Sequence, residues 1–154
     1  MKTLTSTCLS MLVATLVIAS ASAQENGQSN PPTLYERLGG LPAISVVVSD
    51  LLDVVVPDPM LNENPAIKAS REQVPAPYLK YQVTAMVCEA SGGPCKYHGR
   101  DMKSSHAHLN ITEAEWQRFI TLFEEILTQH QVPAQESQEL LEIVDSTKAD
   151  IVKS

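Results

Sequence analysis

The sequence has little positive charge, no long apolar run after residue 23 and no internal repeat. The first two features each argue against a class of protein. Positive charge is scarce, because 11 lysines and arginines stand against 18 aspartates and glutamates, giving a net charge of -7. Nucleic-acid binding needs a basic surface, so we expect no nucleic-acid partner. No apolar run after residue 23 is long enough to cross a membrane, and no internal repeat occurs. A chain of 154 residues with 44% hydrophobic side chains therefore fits one globular domain.

The first 23 residues have the organisation of a cleaved signal peptide. Lys2 gives a short positive region, residues 9–19 are mostly apolar, and residues 21–23 read Ala-Ser-Ala, a small-residue cleavage motif. The apolar run is too short for a membrane anchor. We expect cleavage after Ala23, a flexible polar leader over residues 24–32 and a folded domain over residues 33–152. The mature protein is then predicted to be periplasmic or secreted, with no membrane contact.

Cysteine is also scarce, with three residues in the whole chain. Cys8 lies in the predicted signal peptide, which leaves Cys88 and Cys95 in the mature protein. An even pair in an oxidising compartment predicts a disulfide, and the glycines and proline between the two cysteines let the chain turn back. Two free thiols remain an alternative. A zinc site completed by His98 and His108 matches no closed structural spacing well.

The remaining sequence predicts an all-α fold. Apolar residues recur at helical spacing in several segments that proline and glycine separate. Valine-rich parts of the second segment would tolerate a strand, but the unbroken helical pattern favours a helix there. We expect one or two helical turns over residues 66–73 within an irregular stretch, with Pro57 and Pro59 ending the helix before it. The six main helices are predicted at about residues 33–39, 41–55, 78–89, 101–109, 113–130 and 133–151.

The most informative segment covers residues 92–112. Its short helical part places Met102, Ser105, His106 and Leu109 on one inward face, and Thr112 begins a capping box for the next helix. A short helix that presents an inward histidine can hold a haem iron from one side. A packed histidine with a satisfied ring is the alternative.

The other three histidines are predicted to have no role at such an iron. His108 lies two positions after His106, so the two side chains point to different faces of a helix. His98 falls in the preceding loop and His130 near the end of a later helix. We expect both to be solvated surface residues.

Two motifs of the sequence resemble the group I truncated haemoglobins. Residues 92–112 contain GGP, then Y-x-G-R-D-M-x-x-x-H, then x-x-L-x-I-T, and residues 34–44 read LYERLGGLPAI. The resemblance extends over about residues 33–152. It implies a two-over-two helical sandwich around haem b, with His106 as the proximal ligand of the iron.

The same resemblance implies a set of residues around the haem. Lys80, Arg100 and Lys103 are candidate partners for the haem propionates, although solvated lysines are common. For the apolar members of the predicted set, packing against one another is the alternative. The residues that we expect to contact the haem are Leu52, Leu79, Gln82, Val83, Met86, Met102 and Phe119.

The side of the haem that would receive a gas departs from the family pattern. Many members carry a tyrosine on the second helix, and Leu52 stands at the matching position. An aromatic pair is also absent where Asn64 falls, and the loop before the third helix is longer than in common members. Gln82 is the first candidate for a replacement donor, with Tyr78 and Tyr81 as others. A solvent-facing amide is the alternative for Gln82.

These observations leave three classes of function. The first is a haem protein that reversibly binds a diatomic gas such as oxygen, nitric oxide or carbon monoxide. The second is an enzyme on the same haem, a nitric oxide dioxygenase or a peroxidase. It would need an external reductase, because the chain supplies no flavin or reductase domain. The third is a helical interaction module without haem, and the motif around His106 argues against that class.

Overall fold

The computed structural model describes residues 30–153. The predicted signal peptide over residues 1–23 and most of the predicted leader lie outside the described residues. Within them the chain forms nine helices and no strand; a single isolated bridge pairs Ile111 with Val152. The helices are α1 (Leu34–Arg37), α2 (Gly40–Val55), α3 (Pro59–Asn62), α4 (Pro65–Gln73), α5 (Ala76–Ala90), α6 (Met102–His106), α7 (Glu113–Gln129), α8 (Ala134–Asp145) and α9 (Lys148–Ile151).

Polar side chains define where five of these helices begin. Thr33, Asp58, Asn64, Asp101 and Thr112 each accept a hydrogen bond from a backbone N–H of the first turn. Such caps satisfy amides that have no partner inside the helix. At both threonines a glutamate three residues later completes a capping box. The capping box predicted for the helix after His106 is therefore confirmed.

The stretch between α2 and α5 is more helical than expected. Pro59 was expected only to end a helix, yet it occupies the first turn of α3, where its missing N–H costs nothing. Pro65 begins α4 in the same way, with Asn64 as the capping residue. The predicted turns over residues 66–73 thus form one regular helix of nine residues.

The prediction of one continuous helix over residues 133–151 was wrong. The structure divides it into α8 and α9 at Ser146 and Thr147. Ser146 Oγ donates to the Ile143 carbonyl and Thr147 Oγ1 to the Val144 carbonyl, at 2.6 and 2.7 Å. Hydroxyls that bond to nearby carbonyls in this way compete with the helical hydrogen bonds.

The long helices form the expected two-layered all-α arrangement. Helix α2 packs against α5 in one layer and against α7 of the other layer, and α7 packs against α8. Two groups of buried apolar side chains fill the interior. The first group is Leu34, Leu51, Phe123, Ile126, Leu127 and Leu140. The second group, called here the α2–α5 cluster, consists of Ile44, Val48 and Leu52 with Leu38, Leu79, Val83 and Val87 against them.

Two arginines attach the α3–α4 segment to the long helices. Arg71 on α4 donates to the carbonyls of Val55 and Val56, which lie at the end of α2 and have no partner within that helix. Arg118 on α7 donates through Nε and Nη2 to Asp58 Oδ2, at 3.0 and 2.8 Å. The segment is therefore held to α2 at one point and to α7 at another.

Candidate functional site

His106 lies in the last turn of α6 and is half-buried. Its Nδ1 is 2.8 Å from the carbonyl oxygen of Met102, one turn earlier on the same face. A carbonyl can only accept, so Nδ1 carries the proton and Nε2 keeps its lone pair. The ring of His106 is thus oriented by a hydrogen bond to a carbonyl of its own helix. Burial lowers the pKa of His106, against the opposing effect of the Met102 hydrogen bond, and this favours the neutral, ligating ring.

The loop before α6 and the chain after it hold this short helix in place. Asp101 caps α6 by accepting from Ser104 N at 2.8 Å, and Tyr97 Oη donates to the Arg100 carbonyl at 2.8 Å. Helix α6 packs mainly against α9. Lys153 N beyond α9 donates to the Ile111 carbonyl at 2.8 Å. His106 is therefore fixed by contacts from the end of the chain as well as from its own loop.

Cys88 and Cys95 form the predicted disulfide, with their Cα atoms 5.7 Å apart. The bridge joins the last part of α5 to the loop that leads to His106. Tyr97 N adds a second tie by donating to Glu89 Oε2 at 2.9 Å. Gly93 inside the bridged loop has no room for a side chain, because a Cβ there would lie 2.8 Å from Cys88 Sγ. The glycine is therefore required by close packing under the disulfide.

Three of the predicted haem-contact residues come together, namely Leu52, Leu79 and Val83. Leu52 is 7% exposed and lies in the α2–α5 cluster with the other two. A cavity of about 260 Å³ lies beside Leu52 and Leu79, between the end of α2 and the start of α5. Its wall is completed by Asp53, Val56, Pro57, Ala76 and Lys80.

The remaining predicted contact residues lie elsewhere. Phe119 on α7 packs with Phe123, with ring centroids 6.2 Å apart, and joins the first core group. Met86 on α5 and Met102 on α6 are half-buried. Gln82 Nε2 donates to Tyr78 Oη at 2.7 Å on the exposed side of α5. Its role as a donor to a bound gas stays a prediction.

Of the three candidate propionate partners, Lys80 is already engaged. Its Nζ donates to Asp53 Oδ2 at 2.7 Å and to Ser49 Oγ at 2.9 Å, which joins α5 to α2. Arg100 and Lys103 are exposed on either side of Asp101. These two lie near His106 in the chain and stay predicted partners of the propionates.

The prediction that His130 is a solvated surface residue was wrong. Its Nε2 is 2.8 Å from Asp50 Oδ2, and its side chain is 22% exposed. The contact joins the end of α7 to α2, and its partner is 80 residues away in the sequence. No local pattern could have found it. His98 is exposed, as predicted, and His108 is exposed as well.

The described residues hold no cluster of three or more His, Cys, Asp or Glu side chains that could bind a metal ion. A metal at His106 therefore needs its other ligands from outside the protein. Haem would supply them from its own ring nitrogens, and His106 would be the ligand that the protein contributes. The donor chemistry of His106 fits this group.

A family model described as bacterial-like globin matches residues 33–153. The chain belongs to this globin family. The predicted family is confirmed, and the cofactor of this family is haem. Over residues 30–153, no helix of this globin is long and apolar enough to cross a membrane.

Curated relatives agree with this assignment. A group 1 truncated hemoglobin of Nostoc commune is 28% identical over 120 residues, covering 78% of this globin and 97% of the relative. One of Chlamydomonas moewusii is 24% identical over 139 residues, covering 87% and 76% of the two chains. These similarities place the protein among the group I truncated globins.

A solved structure supports the fold. The truncated hemoglobin of Tetrahymena pyriformis in its Fe(III) form superposes with a TM-score of 0.68 and 22% sequence identity. The match covers 80% of this globin and the whole of the Tetrahymena chain. The two-layered helical arrangement is thus that of the truncated globins.

Proposed function

We propose that this globin reversibly binds a diatomic gas at a haem iron held by His106. The proposal rests on the burial and the hydrogen bonding of the His106 ring. Its ring is half-buried, Nδ1 is bonded to the Met102 carbonyl, and Nε2 keeps its lone pair. A neutral imidazole fixed through its second nitrogen is the usual protein ligand of a metal.

When bound, haem supplies an iron with a sixth position for a small ligand. Residues of the chain would hold the haem and line the position of the gas. The Met102 carbonyl orients the ring of His106, and Arg100 in the loop and Lys103 on α6 would neutralise the propionates. Leu52, Leu79 and Val83 supply an apolar wall. An apolar wall excludes water and offers a bound gas no hydrogen bond.

An enzyme on the same haem, a nitric oxide dioxygenase or a peroxidase, is the alternative. It would require an external reductant. The apolar surroundings of Leu52 favour gas binding over such chemistry, because activation of oxygen depends on polar groups near the iron.

The test is a spectrum of the mature protein after reconstitution with haem. We expect one haem per chain, a Soret band, and reversible shifts of that band when the ferrous protein takes up oxygen or carbon monoxide. A ferrous spectrum that does not respond to either gas would contradict gas binding. Rapid turnover of nitric oxide or peroxide with an added reductant would favour the enzyme.

We also propose that the protein is exported, since the first 23 residues carry the organisation of a cleaved signal peptide. The test is the N-terminal sequence of protein made in a bacterium that exports it. We expect it to begin at Gln24. A chain recovered from the cytoplasm with Met1 in place would contradict export.

A further inference from the structure

We propose that Asn64 is a positioning residue for His106. The inference rests on the proposed function, in that His106 is taken to be the iron ligand. Asn64 lies outside the predicted haem contacts, 42 positions before the histidine, in the segment between α2 and α5. It acts through the backbone that follows α6.

The oxygen and the nitrogen of the Asn64 side-chain amide both form hydrogen bonds. Oδ1 accepts from Ala66 N at 3.0 Å and from Ile67 N at 3.3 Å, which caps α4. Nδ2 donates to the Leu109 carbonyl at 2.9 Å. Serine or aspartate would cap α4 equally well. Serine carries only one polar atom and an ionised aspartate has no donor, so only an amide, whose acceptor and donor are separate atoms, can cap α4 and make the second contact as well.

Leu109 transmits this contact to His106. Its own N–H donates to the His106 carbonyl at 2.8 Å, so the end of α6 and the Leu109 peptide are coupled. Asn110 follows with a φ of 50°, in the left-handed region that asparagine adopts more readily than most residues. The Asn64 hydrogen bond fixes the carbonyl before Asn110, and the Lys153–Ile111 hydrogen bond fixes the carbonyl after it.

Asn64 can act in this way because α4 is itself fixed. Arg71 attaches α4 to the end of α2, and the Asp58–Arg118 ion pair attaches the residues before it to α7. The side chain is therefore a link between the long helices and the peptide after His106. Ligand orientation by an outer group is the general way in which proteins set the strength of a metal–histidine bond.

The experiment compares Asn64→Ser and Asn64→Asp with wild type. Both variants keep an oxygen that can cap α4, and both lose the amide N–H group that donates to the Leu109 carbonyl. Ile67→Val is the matched control, because Ile67 is the buried residue of the same helix and its replacement leaves the Leu109 contact intact. The readouts are the iron–histidine stretching band of the ferrous protein and the rate of haem transfer to excess apomyoglobin.

We expect the band of both Asn64 variants to shift or broaden and haem to leave roughly tenfold faster, the lower end of the range for outer-shell changes. Ile67→Val should leave both readouts at wild-type values. In the haem-free protein, the amides of residues 107–111 should also exchange faster in the Asn64 variants than in Ile67→Val.

Two different failures are distinguishable. If wild type shows no iron–histidine band, the proposed ligation fails. If wild type shows the band and both Asn64 variants keep its position, its width and the haem transfer rate, the role of Asn64 is refuted. Equal changes in the variants and in Ile67→Val would also refute it, because they would reflect general loosening of α4.

Discussion

Arg118 and the buried Asp58 form a charge pair that joins α7 to the start of α3. The Asp58 side chain is 3% exposed, and its second oxygen caps α3 by accepting from Leu61 N at 3.0 Å. The Arg118 hydrogen bond, opposed by burial, holds the pKa of Asp58 below its ordinary value of 3.8. One carboxylate thus fixes both a helix start and the contact between two parts of the chain.

This pair predicts an acid-dependent loss of stability. A lowered pKa in the folded state gives stability that is present above pH 3.8 and is lost as pH falls through the lower folded value. Asp58→Asn should lower the free energy of unfolding at neutral pH by about 1.5–3 kcal/mol, the range for a hydrogen bond to a charged group. Below pH 3.8 the difference from wild type should shrink. Urea unfolding at a series of pH values measures it, and a constant difference would contradict the account.

The disulfide predicts a second stability effect. Closing the short loop between Cys88 and Cys95 should contribute about 2–3 kcal/mol in the chain-entropy model. The double variant Cys88→Ser, Cys95→Ser should unfold at a correspondingly lower urea concentration. Wild type under reducing conditions is the control and should match the variant. Titration of two free thiols in unfolded, unreduced protein from the periplasm would show that the bridge does not form there.

We expect rapid release of oxygen, because Leu52 cannot donate a hydrogen bond to the bound gas. A hydrogen bond to bound oxygen is worth about 1.5–3 kcal/mol, so its absence should raise the dissociation rate by roughly ten- to a hundredfold. Leu52→Tyr should slow oxygen release by that factor and change carbon monoxide release much less. Stopped-flow measurement of both gases tests it.

Gln82→Leu is the control for that experiment. Because Gln82 donates to Tyr78 on the exposed side of α5, its removal should leave oxygen release nearly unchanged. Slow release in wild type that Gln82→Leu accelerates would show that Gln82 turns toward the gas when haem is bound.

The sequence predicted the long helices well because their apolar periodicity is local. It also identified the Cys88–Cys95 bridge and the half-buried face of α6 that carries Met102 and His106. It missed the contacts that join distant positions, such as Asp58 with Arg118 and His130 with Asp50. The sequence indicates that a buried polar residue needs a hydrogen-bond partner. Which residue becomes that partner depends on how helices from distant parts of the chain pack together.

The same limit applies to Asn64. The sequence can predict that Asn64 caps a helix, because it directly precedes a proline at the start of that helix. Its contact with Leu109 spans 45 residues and depends on where α4 lies against the end of α6. The place of His106 on a short helix was thus predictable, whereas the residues that support this helix were not; the role of His106 as iron ligand stays a prediction.

The most direct test of the account is the replacement of His106 by glycine, with His108→Gly as the control. We expect His106→Gly to lose its wild-type ferrous spectrum and to recover it when imidazole is added, because free imidazole can take the vacated position. His108→Gly should keep the wild-type spectrum. A His106→Gly variant with unchanged haem content and spectra, without imidazole, would contradict the assignment of His106 as the iron ligand.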